Sequence, residues 1–431
     1  MPKNNDLPPA DAKMPSIEKA VLIFMIISAF YGLATGLSDT VLANYFKDAY
    51  NVDAQQRGFI EFPRELPGVL SIITIAAIAP IGIIKSARLT LVLFFAGILT
   101  LGFVKPGFPV MLVILFIYSL GMHMFMPFND GIGISLAIKG STGKVLGRFK
   151  SMTMAFTMIA GIVVFFGFRF GIFSFDTPVA VFIISAFSAL AIVFLFTAMR
   201  KTIPEETRIE NTASSGSFLQ NLKSNMVFRK EYMRYYVICA LFGGRKQIMY
   251  VYSPWVLIDL LGFKADSMSI LAIIGSLIGI FFMPVVGRLI DRYGTRKVMI
   301  VEALAFIFIY IAYGGLSRWV NVQTNAVMLA GVAMLLVYLL NIIDKMSAQF
   351  AMVRSIYMQS IAIKKEDVTP SLTVGMAIDH VVSIAGSLIC GTVWYVWGPE
   401  YVFVIAGILS LVNLIVAAGI RIKPPESVSN Q

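Results

Sequence analysis

The chain of 431 residues is 58% hydrophobic and 14% charged, whereas about a quarter of an average soluble domain is charged. That deficit, with 34 Phe and 23 Met, excludes a soluble globular fold and indicates an all-α integral membrane protein. The net charge of +11 is spread through short turns between apolar runs, so it excludes nucleic acid as a partner.

Twelve apolar runs are predicted to span the membrane: 17–46, 54–84, 89–104, 109–138, 146–168, 178–199, 233–262, 267–287, 297–317, 325–358, 370–397 and 400–421. Most reach the ~20 residues that cross a bilayer core of roughly 30 Å, and the third is short. With residues 1–16 as a cytoplasmic tail, 24 Lys/Arg fall on the inner side, 6 on the outer side and 5 within spans. By the positive-inside rule this places both termini in the cytoplasm, in the cytoplasmic (inner) membrane. The first apolar run is too long for a signal-peptide core, so no cleaved leader is expected. Cys239 and Cys390 fall in spans without ligand-like spacing and read as packing residues; no metal or cofactor is expected.

The stretch 200–231 is the longest polar segment. It divides the chain into a six-helix bundle at 17–199 and a second at 232–421, followed by a tail at 422–431. Within it, Phe218, Leu219, Leu222 and Met226 follow helical spacing beside Lys223, Arg229 and Lys230, which suits either an interfacial helix or a solvated linker. The halves echo one another: "PIGIIKSARLTLVL" (80–93) against "PVVGRLIDRYGTRKVMIV" (284–301), and "IAG" at 159–161 and 384–386. Parallel repeats of this kind occur in secondary transporters.

"GRLIDRYGTRK", Gly287–Lys297, resembles the signature loop of the major facilitator superfamily, G-x-L-x-D-R-x-G-R-R/K. It lies between spans 8 and 9, one of the two places where that family carries it. The resemblance implies two six-helix pseudo-repeats around a central cavity and transport by alternating access. It also implies a cytoplasmic latch. Gly287 would permit close helix approach and Gly294 a tight turn, while Asp291 would face the start of helix 5 near Gly143. Arg292 and Arg296 would hold neighbouring acidic or carbonyl groups. The chain departs from the family in its first-half loop, which lacks the Asp, and in span 5, which lacks the G-P-x-x-G-G element of drug–proton exchangers.

Deep ionisable groups are confined to a few spans: Asp39; Glu61, Arg64 and Glu65; His123 and Asp130; Arg245 and Lys246; Asp344, Lys345 and Arg354; Asp379 and His380. The resemblance implies that helices 1, 4, 7 and 10 line the cavity, 2, 5, 8 and 11 join the halves, and 3, 6, 9 and 12 face lipid. The charges avoid the lipid-facing class, as expected when a charge in hydrocarbon costs at least ~2.5 kcal/mol. Glu302 near the start of span 9 is expected to find a partner in the basic loop, and Arg354 to snorkel to the cytoplasmic surface.

In "EFPRELPG" (61–68), Glu61, Arg64 and Glu65 share one helix face, and Pro63 and Pro67 favour a bend. Two acids with one Arg leave a negative surplus, to be balanced by a cation such as Arg245 or by a proton. Gly243-Gly244 is expected to loosen span 7 just before Arg245 and Lys246, of which one faces the cavity and the other pairs across the interface or with span 2. Asn341 and Lys345 share a face with Asp344 nearby.

Candidate substrate-binding residues are Arg64, Arg245, Lys246, Tyr250, Asn341, Lys345 and His123. Candidate proton carriers are Glu61, Glu65, Asp344, Asp379 and His380. Fixed cations favour an anionic organic solute. The alternatives are export of an amphipathic cation and, in another class, a sensor or lipid-handling protein. No H-E-x-x-H, G-x-S-x-G or nucleotide-binding loop occurs, so neither an enzyme nor an ATP-driven pump is expected. The expected partners are a small-molecule substrate, protons as coupling ion and membrane lipid, with the protein a monomer.

Overall fold

The computed structural model describes residues 10–78, 81–136, 142–202, 228–322, 327–348, 350, 352–364 and 367–420. The described elements are helical throughout: α1 Ala10–Tyr50, α2 Ala54–Ile78, α3 Ile83–Phe103, α4 Phe108–Ser135, α5 Thr142–Arg169, α6 Ala180–Thr202, α7 Met233–Gln247, α8 Ala265–Val322, α9 Val327–Ala348, α10 Met352–Ile361, α11 Val368–Trp397 and α12 Pro399–Ala418. Helix α7 continues through a π turn at Ile248–Tyr252, one α turn at Ser253–Trp255 and a second π turn at Val256–Leu260.

Among the described residues nine helices are long and apolar enough to cross a membrane, counting α8 as two, Ala265–Phe282 and Arg292–Trp319. The other three expected spans are α2, α7 with its continuation, and the pair α9 and α10. The first two are the charged ones: α2 carries Arg57, Glu61, Arg64 and Glu65, and α7 ends on Arg245 and Lys246. The arrangement is consistent with twelve spans.

Particular residues set the turns. Gly294 breaks α8 at φ 79°, a conformation that costs residues with a side chain, so two spans follow each other with one residue between them. Gly398, at φ 120°, ends α11 by donating to the carbonyls of Val393 and Trp394, and Pro399 then opens α12 with the φ a first turn needs. Pro63 and Pro67 both sit inside α2, which stays helical across them. Helix α1 begins at Ala10, so part of the expected polar tail is helical.

The chain divides into two compact units, residues 1–41 with 71–221 and residues 42–70 with 222–431. The division runs through α1 and α2, so the end of α1 and the charged start of α2 pack in the second unit. In the first unit, Phe24, Leu91, Phe125, Phe149, Ile192 and Phe196 form the core. Its helices touch at glycines: a Cβ at Gly97 would lie 2.6 Å from the Tyr118 backbone, and one at Gly121 would strike the Phe94 backbone. In the second unit, Tyr232, Ile238, Val286, Val298, Val353 and Tyr357 belong to a core shared by α7, α8 and α10.

Exposed apolar side chains recur at helical spacing. On α12 they are Tyr401, Val404, Ile408, Leu411 and Ile415, and on the second half of α8 Val301, Leu304, Phe308 and Ile311. These are the stripes a bilayer would cover.

Candidate functional site

The charged turn of α2 does not close on itself. Glu61 is 1% exposed and its Oε1 accepts from Arg57 Nη1 at 2.5 Å and Arg64 Nη1 at 2.7 Å. Arg57 is a buried member of α2, one turn before Glu61. Glu65 turns elsewhere: its Oε2 accepts from Lys246 Nζ of α7 at 3.0 Å and lies 2.7 Å from His380 Nδ1 of α11. Lys246 also meets Asp379 Oδ1 at 3.3 Å, which in turn receives Ser383 Oγ at 3.3 Å.

Three cations, Arg57, Arg64 and Lys246, thus face three carboxylates, Glu61, Glu65 and Asp379. The negative surplus expected from EFPRELPG is absent, because the sequence window left out Arg57 and the Lys246 that reaches α2. The balancing cation is not Arg245.

Small residues make this cluster possible. A Cβ on Gly68 would lie 2.5 Å from the His380 ring, so glycine there admits the imidazole beside α2. Gly243 lies against the backbone of Asp379, where any side chain would collide with Asp379 O. Its role is close approach of α7 and α11, and Ser383 Oγ donates across it to Gly243 O at 3.1 Å. The expected loosening of span 7 comes later, at the first π turn, because Gly243 and Gly244 are both in regular helix. π turns often mark functional sites.

Arg245 points into a second cluster. Its Nη2 donates to Glu302 Oε1 at 2.9 Å, and both side chains are buried. Its guanidinium lies 4.4 Å from the centroid of Phe306 and 5.9 Å from that of Phe242. Arg354 Cζ lies 3.2 Å from the same Phe242 ring. Two expectations are corrected here. Glu302 is held by Arg245, not by the basic loop, and Arg354 packs inward on an aromatic ring instead of snorkelling.

Aromatic side chains near the end of α7 divide by exposure. Tyr252 and Trp255 are fully buried, the first donating to Ser387 O and the second stacked near Arg57 and Lys47. Tyr250 is 60% exposed and within electrostatic reach of Lys246, Asp344, Arg354 and Asp379. Asn341 and Asp344 are buried in α9. The end of α1 belongs to the same unit: Lys47 meets Asp259 at 2.5 Å, Lys264 meets Asp48 at 3.1 Å, and Asn44 donates to Phe263 O at 2.8 Å.

The first unit holds fewer charges. Tyr118 Oη donates to Asp39 Oδ1 at 3.0 Å and also contacts Ser38 Oγ, while Asp39 itself is exposed. His123 Nδ1 stays on its own helix, near Ser119 O and Oγ. Asp130 and Lys150 form a loose exposed pair at 3.9 Å.

In the segment Gly287–Lys297, Arg296 Nη2 donates to Ala418 O at 2.7 Å, and Arg292 lies over Tyr293. A Cβ on Gly287 would meet nothing within 4 Å, so the close helix approach expected there is not made among the described residues. The side chains of Asp291 and Lys345, the surroundings of Gly143, and Phe218, Leu219, Leu222 and Met226 of the linker lie outside the described residues. Arg57, Glu302 and Arg354 are the members that sequence reasoning left out. Only Arg57 carried a local signal, at i−4 from Glu61.

Residues 24–361 match the family profile of the Major Facilitator Superfamily. The chain belongs to the Major Facilitator Superfamily. Solved structures with the same fold include the nucleoside transporter NupG, in a point-mutant form, at 15% identity and TM-score 0.73, with 92% of this chain and 98% of that one covered. A POT family transporter in complex with 5-aminolevulinic acid aligns at 12% identity and TM-score 0.71, covering 92% and 95%. The xylose transporter XylE from E. coli, in an inward open conformation, aligns at 14% identity and TM-score 0.68, covering 95% and 98%. No curated protein matches significantly. This superfamily protein is a multi-pass membrane transporter.

Proposed function

We propose that the chain is a proton-coupled secondary transporter of the cytoplasmic membrane, with both termini in the cytoplasm, that moves a small solute bearing an anionic group. The observation that carries this reading is the balanced cluster on α2, α7 and α11. An anion arriving at Lys246 must displace Glu65 or Asp379, both bonded to that ammonium. A displaced carboxylate left bare in a low-dielectric interior costs several kcal/mol, so it takes a proton, either directly or by way of His380 beside Glu65. One anion then enters with one proton. A D-xylose–proton symporter of the same fold, at 14–15% identity, lends support to the coupling.

A second reading is a solute with a cationic group. The exposed carboxylate of Asp39, at membrane depth on α1, favours it.

Proteoliposomes carrying a pH-sensitive dye distinguish the two. Under an imposed gradient, external gluconate or lactate should acidify the lumen in step with uptake. Uptake of organic cations with proton release would favour the second reading. Binding without flux of either would replace both with a sensor.

A further inference from the structure

We propose that Arg354 and Arg245 together form an oxyanion-binding pair on the shared ring of Phe242, with Arg354 the residue that sets specificity for a carboxylate. The inference rests on the anionic-solute reading above and names where the anionic group is received.

Arg245 is 2% exposed, yet among the described residues its Nε and Nη1 have no hydrogen-bond partner; only Nη2 is taken, by Glu302. Buried N–H groups left open are costly, and in native proteins they are nearly always satisfied by protein, water or ligand. The guanidinium is prevented from turning to find other partners, because Glu302 grips one end and Phe306 lies 4.4 Å from its plane centre. It is therefore fixed with two donors in reserve.

The second guanidinium is close by. Arg354 Cζ is 3.2 Å from the Phe242 centroid and Arg245 Cζ is 5.9 Å from it, so two fixed cations share one ring. Each lies within electrostatic reach of the other. Like charges in a low-dielectric interior repel, and an oxyanion placed against both removes that repulsion while using the open donors of Arg245. Glu302 neutralises one charge of the pair, so a monoanion completes the balance and a carboxylate fits better than a phosphate dianion.

The two guanidiniums differ in exposure: Arg354 is half-buried and within electrostatic reach of Tyr250, a residue 60% exposed, whereas Arg245 is enclosed. A carboxylate approaching from the side of Tyr250 would meet Arg354 first. Lys246 and Arg64 are bonded to carboxylates, so an anion reaches them only by displacing one of these, whereas the open donors of Arg245 can be met first and without displacement.

The test uses the purified full chain in detergent, with gluconate, its neutral analogue gluconamide and inorganic phosphate as probes of thermal stabilisation. Gluconate should stabilise the wild type and gluconamide should not. Arg354→Gln should weaken gluconate at least tenfold, and Arg354→Lys should restore part of that loss while giving up preference for the planar carboxylate. If Arg354→Gln does not fold, Phe242→Leu, which removes the shared ring and leaves both charges, should weaken gluconate in its place. Gluconate binding that is unchanged in these variants overturns the pair and leaves the anionic reading standing. No gluconate or phosphate binding to the wild type overturns both. Phosphate binding that exceeds gluconate, with the same dependence on Arg354, overturns the assignment of a carboxylate.

Discussion

The two packing units hold their helices together by different chemistry. In the first, helices meet through hydroxyls and glycines: Thr153 Oγ1 bonds Ser28 O at 3.2 Å, Thr157 Oγ1 bonds Gly32 O at 3.2 Å, and Ser185 Oγ bonds Ala34 O at 2.7 Å. The second uses such contacts too, as at Gly243 and Ser383, but adds buried and half-buried ion pairs, Arg57–Glu61–Arg64, Lys246 with Glu65 and Asp379, and Arg245–Glu302. A hydroxyl bonded to a carbonyl has little to exchange with, and it is stable in one arrangement. An ion pair can trade partners, and a carboxylate can trade its cation for a proton. On the proposed function, the second unit would hold the parts that switch and the first would serve as frame.

The largest effect should come from stranding a buried charge. Arg245→Ala leaves Glu302 enclosed without its cation, at a cost of about 3–5 kcal/mol, and should lower the thermal midpoint more than any substitution named below. The double change Arg245→Met with Glu302→Leu should recover most of that loss while transport stays absent. Recovery of transport would show that the pair only holds the helices.

Lys246→Gln should come next, removing the cation common to Glu65 and Asp379. Proton-driven uptake should fall at least a hundredfold in proteoliposomes. His380→Gln keeps a hydrogen-bonding side chain beside Glu65 but cannot carry a proton. It should lose uptake driven by a pH gradient while sparing exchange of solute for solute. Equal loss of both would count against a coupling role.

Within α2 the two arginines should differ. Arg57 is 3% exposed and Arg64 23%, so Arg57→Ala should destabilise the protein more than Arg64→Ala, which leaves Glu61 one buried cation. Equal midpoints would mean that Glu61 does not depend on Arg57. In the first unit, Thr153→Val should cost only about 0.5–1.5 kcal/mol and leave the pH profile of uptake unchanged. A shifted profile would erase the contrast between frame and switch.

The smallest effect concerns the approach to the start of α11. The hydroxyl of Tyr232, at 2.8 Å, and the guanidinium of Arg229, at 2.9 Å, hold the Asp367 carboxyl below the usual carboxylate range. A carboxyl whose pKa is lowered by folding stabilises the native state above its unfolded value and ceases to do so as pH falls through the lowered one. The difference in thermal midpoint between wild type and Asp367→Asn should be constant from pH 8 to 5 and shrink only below about pH 4. A difference that changes near neutrality would contradict the assignment.

Span-forming apolar runs and the resemblance in Gly287–Lys297 made the fold legible in sequence, because both are local patterns. The site was legible only in part. Glu61, Glu65, Lys246, Asp379 and His380 stand out as charges at membrane depth, where any ionisable group needs a reason. Which of them touch is set by helix packing, and adjacent residues can diverge completely. Lys246 reaches α2 and α11, whereas Arg245, one residue earlier, reaches α8. Glu302 and Arg354 were discounted for lying near span ends, yet both turn inward to meet α7. Gly68 and Gly243 show the same limit. Their value lies in an imidazole and a backbone carbonyl far away in sequence.

The two π turns of α7 bear on length as well as composition. Each accommodates one residue more than a regular turn would, so the helix from Ile248 to Leu260 is overfilled relative to an α-helical count. A shift of one residue in winding rotates everything beyond it by about 100°. Deleting a single residue such as Val251 would relax the first wide turn to a regular one and leave Trp255 and Asp259 in phase to meet Arg57 and Lys47, whereas the same deletion in a regular stretch would swing them away. The wide turns hold the phase of this helix against its extra residues.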